Sequence, residues 1–109
     1  MTTATVKQLA QVALTNTLTT TLYTASGVKA VLKEILLCNT DTSARTVTIR
    51  AGASPATGVL STILSAVNLG PGETRAFPLN TVLESGHLIT GGASTGSVVG
   101  ATFSGIEVS

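Results

Sequence analysis

Turn-forming residues interrupt this chain so often that no long element fits between them. Gly27 follows Ala25-Ser26, and Asn39-Thr40-Asp41-Thr42-Ser43 is a polar turn cluster. Gly52-Ala53-Ser54-Pro55 with Thr57-Gly58 marks a loop, and Gly91-Gly92 through Gly96 reads as a flexible one. Glu84-Ser85-Gly86-His87 is a tight turn. The sharpest signal is Gly70-Pro71-Gly72-Glu73. Proline fixes φ at the first central position and glycine supplies the positive φ that a type II turn needs at the second. Turns at this spacing leave room for short strands. Eight extended segments lie between them, at residues 5–12, 17–24, 28–38, 45–51, 59–67, 74–79, 87–91 and 98–108.

Their residues favour strands. Arg45 to Arg50 alternates, with Val47 and Ile49 on one face and Thr46, Thr48 and Arg50 on the other. The last segment is rich in β-branched residues, with Ile106 and Val108 on one face. Gly100 and Gly105 within it mark a bulge or the close approach of another backbone. Three segments also fit helical spacing: Val28, Val31, Leu32, Ile35 and Leu36; Leu60, Ile63, Leu64 and Val67; and more weakly Val6, Leu9, Ala10 and Ala13. Periodicity alone favours helix there. None of the three has a capping box, and their neighbours are strongly β-forming. If residues 28–38 form a strand, Lys29, Val31, Lys33 and Ile35 share one face and Ala30, Leu32, Glu34, Leu36 and Cys38 the other, and neither face is clean. The reading is an all-β domain spanning residues 1–109, an antiparallel β-sandwich or jelly-roll-like fold of about eight strands. An α+β fold with one or two short helices is the alternative. Without a Cys…Trp…Cys pattern, an immunoglobulin domain proper is not indicated.

A chain of 109 residues makes one modest core. Tyr23, Phe77 and Phe103 are the only aromatics, so aliphatic side chains must fill the interior. Charged residues are 10% of the chain, where about 25% is usual. The polar surface is carried instead by 30 Ser and Thr residues. Such a surface is poorly protected by charge repulsion and suits a protein partly covered by neighbours. Net charge is +1 with the basic residues dispersed, which argues against nucleic acid. No apolar run approaches a membrane span, and Met1 to Thr5 lacks the character of a secretory signal, so manufacture in a cytoplasm is expected.

The chemistry-bearing residues are few. A single Cys excludes an internal disulfide, and Cys38, in the apolar run Ile35–Cys38, reads as a buried small hydrophobe. A single His excludes a His-pair metal site, and no metal or other cofactor is expected. His87 with Cys38 and Asp41 is the nearest approach to a Cys–His arrangement, but His87 reads as a turn or surface residue. Glu73 and Glu84 lie in turns and read as solvated. Glu34 and Glu107 sit inside apolar-rich segments, as solvated edge carboxylates or in ion pairs with Lys29, Lys33 or Arg50. Gly91 to Ser97 lacks the Gly-Lys-Ser/Thr ending of a phosphate loop. No catalytic residue is assigned.

The order of the turns and strands resembles the small structural proteins of tailed bacteriophages. Leu22-Tyr23-Thr24-Ala25-Ser26-Gly27 resembles their YT-x-x-G turn, Lys33 to Asn39 their KEI-x-LCN strand, and Arg45 to Arg50 their VT strand. Leu69 to Thr74 resembles their L-x-PGE turn, Leu83 to Ile89 their L-x-x-GD-x-I turn with His87 in place of Asp, and Ser104 to Val108 their SGxE ending. The resemblance spans residues 22–108. It implies a β-sandwich subunit of a virion, made in the bacterial host cytoplasm, and carries over no catalytic residue. The expectation is a non-enzymatic head-decoration protein forming a homo-oligomer, a trimer or hexamer, on major capsid or tail proteins. A neck or tail accessory protein, or a receptor- or glycan-binding module, is the alternative. Residues 1–14 are the expected assembly arm, with Val6, Leu9, Val12 and Leu14 as its contact residues.

Overall fold

A computed structural model describes residues 3–56 and 61–109. Among the described residues are eight strands: β1 (Ala4–Ala13), β2 (Thr21–Thr24), β3 (Lys29–Asn39), β4 (Arg45–Gly52), β5 (Thr62–Leu69), β6 (Thr74–Leu83), β7 (Leu88–Ala93) and β8 (Val99–Val108). They form two four-stranded antiparallel sheets, ordered β1-β8-β3-β6 and β2-β7-β4-β5. The first strand pairs with the eighth, the second with the seventh, the third with the sixth and the fourth with the fifth. The chain is thus one long ribbon folded back at β4–β5, with alternate pairs dealt to opposite sheets. Ladders β3–β8 and β4–β7 join the pairs within each sheet. This is the jelly-roll arrangement of a β-sandwich. Residues 57–60, with the expected Thr57-Gly58 turn and Leu60, lie outside the described residues.

Between the sheets lie Leu32, Ile35 and Leu37 of β3, Val47 and Ile49 of β4, Leu69, Leu83, Ile89, Val99 and Phe103, all fully buried. The clean alternation expected for β4 is present. Ile106 and Val108 share a face as expected, but it is the outer one, and Val99, Ala101 and Phe103 of β8 point inward.

The segments with helical spacing are strands over Ala4–Ala13, Lys29–Asn39 and Thr62–Leu69, and a register shift in each explains the misleading period. In β3 the pairing jumps between Leu32 and Glu34, and Lys33 and Glu34 are both exposed. The strand changes phase there, so Leu32 and Ile35, three residues apart, both face the core. In β5 one shift lies at Ser65-Ala66, where Ala66 has φ 48°, and a second at Ile63, so Ile63, Leu64 and Val67 all pack on the core. In β1 it falls at Leu9; Leu9 and Ala10 pack on the core while Val6 is exposed. A bulge places two consecutive side chains on one face, turning the period of two into a spacing of three.

The same bulge corrects the faces assigned to β3. Ile35 lies inside, whereas Glu34, Leu36 and Cys38 lie outside. Cys38 is consequently half-buried rather than buried.

Three bulges lie at one level across the first sheet. Leu9 of β1, Lys33 of β3 and Leu79-Asn80 of β6 are extra residues, the first two directly beside Ser104 of β8 and the third across β3 from it. Bulges bend strands and raise their twist. At this line the backbones crowd: a Cβ on Gly105 would lie 2.1 Å from the Val31 carbonyl oxygen and 3.1 Å from Leu9 Cδ1.

Gly91 and Gly92, read from sequence as the start of a flexible loop, are instead buried in β7. The segment before β2 lies over this strand, so a Cβ on Gly92 would fall 2.6 Å from the Thr17 carbonyl oxygen and 2.7 Å from that of Thr15. This excursion also shortens β2, expected from residue 17, to its last four residues. The two tight turns form as expected. Glu73 N donates to Gly70 O at 3.0 Å with Gly72 at φ 70°, and His87 N donates to Glu84 O at 2.9 Å with Gly86 at φ 89°.

One buried amide ties together the loops at the β4 start. Asn39 Nδ2 donates to the carbonyls of Ser43 (3.0 Å), Leu69 (3.1 Å) and Gly70 (3.1 Å), and its Oδ1 accepts from Asp41 N (3.0 Å). Its backbone N–H donates to Glu73 O at 2.9 Å. An amide nitrogen has two protons, so one bond is shared among three acceptors. Asn39→Ala strands these groups in a buried site and is expected to cost about 3 kcal/mol, read by urea denaturation. Gly105→Ala is expected to cost about 2 kcal/mol by overpacking in the same assay.

Candidate assembly surface

In an antiparallel ladder, residues opposite one another project to the same side of the sheet. The register therefore maps the outer face of the first sheet. Val6 stands opposite Ile106, Ile106 opposite Val31, and Val31 opposite Val82. These four form an apolar row across all four strands. Val6 is 82% exposed and Val82 58%, while Val31 and Ile106 are half-buried between them. Val108 extends the row on one side, and Leu36, 39% exposed, lies further along β3. Glu34, whose role the sequence left open, stands on this face between Ser104 and Pro78, exposed to solvent.

The structure divides the four residues expected to make the assembly contact. Val6 is on the open outer face. Leu9 and Val12 pack against the core, and Leu14 is fully buried. Residues 4–13 form an edge strand of their own sheet rather than a free arm. Sequence reasoning missed Val31, Val82 and Ile106 as surface residues, because their exposure depends on the phase that the bulges set.

A polar cluster bridges the sheets near the β1 edge, on the side of the first sheet opposite this face. Lys7 Nζ lies 3.2 Å from Glu107 Oε1, and the Tyr23 hydroxyl of β2 donates to Glu107 Oε2. Lys7 was not among the partners expected for Glu107. Lys29 pairs instead with Glu84 at 3.6 Å, and Lys33 donates to Asn80. The bonds from Tyr23 and Lys7 hold the Glu107 carboxyl below its ordinary range. Burial, then the bond to the carboxylate, push the Tyr23 hydroxyl up. At the other end, Asp41 accepts from Arg45 Nε at 2.8 Å and from Thr42 N, and its carboxyl is held low by those bonds.

The chemistry-bearing residues do not converge. Cys38 and Asp41 lie at the Asn39 end of the sandwich, and His87 at the opposite end, hydrogen-bonded through its backbone to Glu84 and Ala25. Among the described residues no three His, Cys, Asp or Glu side chains form a metal-binding cluster. A cleft of about 400 Å³ is lined by Gly27, Val28, Lys29, Ser85, Val108 and Ser109. Phe103 is buried, and Tyr23 and Phe77 are half-buried, Phe77 beneath the Arg75 guanidinium at 5.0 Å.

No protein-family model and no curated protein matches the sequence. Solved structures do match the fold. The chain of the T13 infectious bursal disease virus particle superposes with a TM-score of 0.56 at 14% identity, over 98% of this chain and 30% of that one. The chain of the infectious bursal disease virus Gx strain gives 0.53 at 14% identity, over 99% and 31%. This protein thus spans under a third of the length of those viral chains, and the likeness is one of fold. The Drosophila NLP core, matched over 98% of its own length at 16% identity, has a TM-score of 0.48.

The Glu107 cluster sets a pH dependence. A carboxyl whose folded pKa is lowered contributes stability above its unfolded pKa, roughly 4.3, and loses it as pH falls through the folded value. Tyr23→Phe is expected to cost about 1 kcal/mol at pH 7. The gap between wild type and variant should narrow below about pH 4 when both are melted across pH.

Proposed function

We propose that this chain is a non-enzymatic structural subunit of a virus particle, built to associate with copies of itself and with neighbouring shell proteins. The observation that carries the reading is the apolar row Val6–Ile106–Val31–Val82, exposed at both ends and half-buried between, on one outer face of a jelly roll. Contiguous apolar surface on a small domain marks a contact site. The low charge of the chain points the same way, since only 11 of 109 residues are charged.

Jelly rolls also serve as lectins and cupins, so the fold does not choose by itself. A lectin reading would gain from an exposed aromatic platform, and a cupin reading from a cluster of metal-ligating side chains. The described residues favour neither. The fold shared with infectious bursal disease virus chains is in keeping with a particle role. Within that role, the ordered motifs from Leu22 to Val108 favour a tailed bacteriophage and a position on the head exterior as a decoration protein. A neck or tail accessory position is the second reading.

Two measurements test this. Light scattering in solution is expected to give a stable homo-oligomer, a trimer or hexamer, and a strict monomer at high concentration would count against it. Electron microscopy of particles from the encoding virus is expected to locate the chain on the head. Density on the neck or tail would move it to the second reading, and absence from every particle would remove the proposal.

A further inference from the structure

The four sheet edges differ in how far they can accept another strand. On the first sheet, β6 carries Pro78, which has no N–H, and a two-residue irregularity at Leu79-Asn80. On the second, β2 has only four residues and β5 is distorted at Ala66. Prolines, bulges and short strands all blunt an edge. β1 is ten residues long, lacks proline, and has an uninterrupted register from Ala4 to Gln8. Its single charge, Lys7, is held by Glu107.

The direction of its free hydrogen-bonding groups follows from the register. Thr3 and Ser109 exchange both backbone bonds, at 3.1 and 2.9 Å. Hydrogen-bonded and non-bonded pairs alternate along an antiparallel ladder. Thr5 and Lys7 therefore spend their N–H and C=O groups on β8, while Ala4, Val6 and Gln8 turn theirs outward to the open edge.

We infer that two copies of this chain pair edge to edge through β1, antiparallel about a two-fold axis at Val6. This rests on the self-assembly reading above and names its contact, which fits a hexamer made of three such pairs and not a trimer. With Val6 facing Val6 of a second copy, Ala4 faces Gln8 and Thr5 faces Lys7. Every outward N–H and C=O from Ala4 to Gln8 then meets a complementary group, as a two-fold contact requires. Lys7 meets Thr5 rather than another Lys7. The apolar row Val82–Val31–Ile106–Val6 continues without a break into its counterpart, giving one eight-stranded sheet with an apolar stripe across it. A second copy fits this edge better than an unrelated strand, because Val6, the most exposed large hydrophobic side chain among the described residues, sits at the only position that the symmetry makes self-facing.

Cysteine cross-linking tests the register in a Cys38→Ser background. Hydrogen-bonded partners stand about 5.5 Å apart at Cα, within disulfide range. Val6→Cys is expected to form a covalent dimer under mild oxidation roughly tenfold faster than Gln8→Cys, whose copies would lie on the order of 13 Å apart. Equal rates at both positions, or no dimer at Val6, would overturn the pairing. Val6→Pro removes only an outward N–H and is expected to keep the β-sheet circular dichroism while abolishing cross-linking from a Gln8-neighbouring Ala4→Cys/Gln8→Cys double variant. Persistence of that cross-link would also overturn it. Thr5→Pro, which breaks the subunit's own ladder, is the control for loss of fold. A protein that still oligomerises and decorates particles without the Val6 cross-link would refute this contact and leave the structural role standing.

Discussion

The backbone of Gly105 lies against the backbone of Val31, and the shape of the first sheet depends on that approach. A side chain at this point would meet a carbonyl oxygen at 2.1 Å. The absence of one lets β8 and β3 come together where three bulges cross the sheet. Bending there allows long strands to cover a small core without splaying. It also flips the phase of β3 and so decides which of its residues are inside. Had β3 run straight, Leu32 and Ile35 would face opposite sides, and one of the largest core residues would stand in water.

The two ends of the sandwich are held by different means. At one end the Asn39 amide gathers three carbonyls from two separate stretches of chain, which is costly to bury and strong once satisfied. At the other, Glu107 links Lys7 of β1 to Tyr23 of β2 and so ties one sheet to the other. The Lys29–Glu84 and Arg75–Glu73 ion pairs are exposed and contribute little. Stability therefore rests on aliphatic packing and a few placed polar contacts. This leaves the outer faces free to be apolar or Thr-rich without weakening the fold.

That division bears on function. The jelly roll keeps its chemistry-bearing residues apart, with His87 and Cys38 at opposite ends, and gathers its exposed apolar residues on one sheet. A surface of this kind recruits neighbours by area and edge hydrogen bonds rather than by a pocket. Val6 stands where the two meet, at the end of the apolar row and in the middle of the open edge.

The sequence by itself determined the strand count, the class of fold and the two glycine-centred turns, because turn chemistry and β-branched alternation act over a few residues. It also determined that catalysis has little to work with, since one His and one Cys are countable without a structure. Only the tertiary structure decided the faces of β1, β3 and β5. A bulge is specified by the partner strand across the ladder, and along the chain it imitates the spacing of a helix. It alone decided that Glu107 meets Lys7, a hundred residues away, because antiparallel closure of the first and last strands brings them together. It alone showed Gly91 and Gly92 as buried strand, since Gly91 lies against Thr48 and Ile49 of β4 and the segment over Gly92 lies more than seventy residues earlier. The apolar row belongs to the same class: each of its four residues comes from a different strand, and no local pattern joins them.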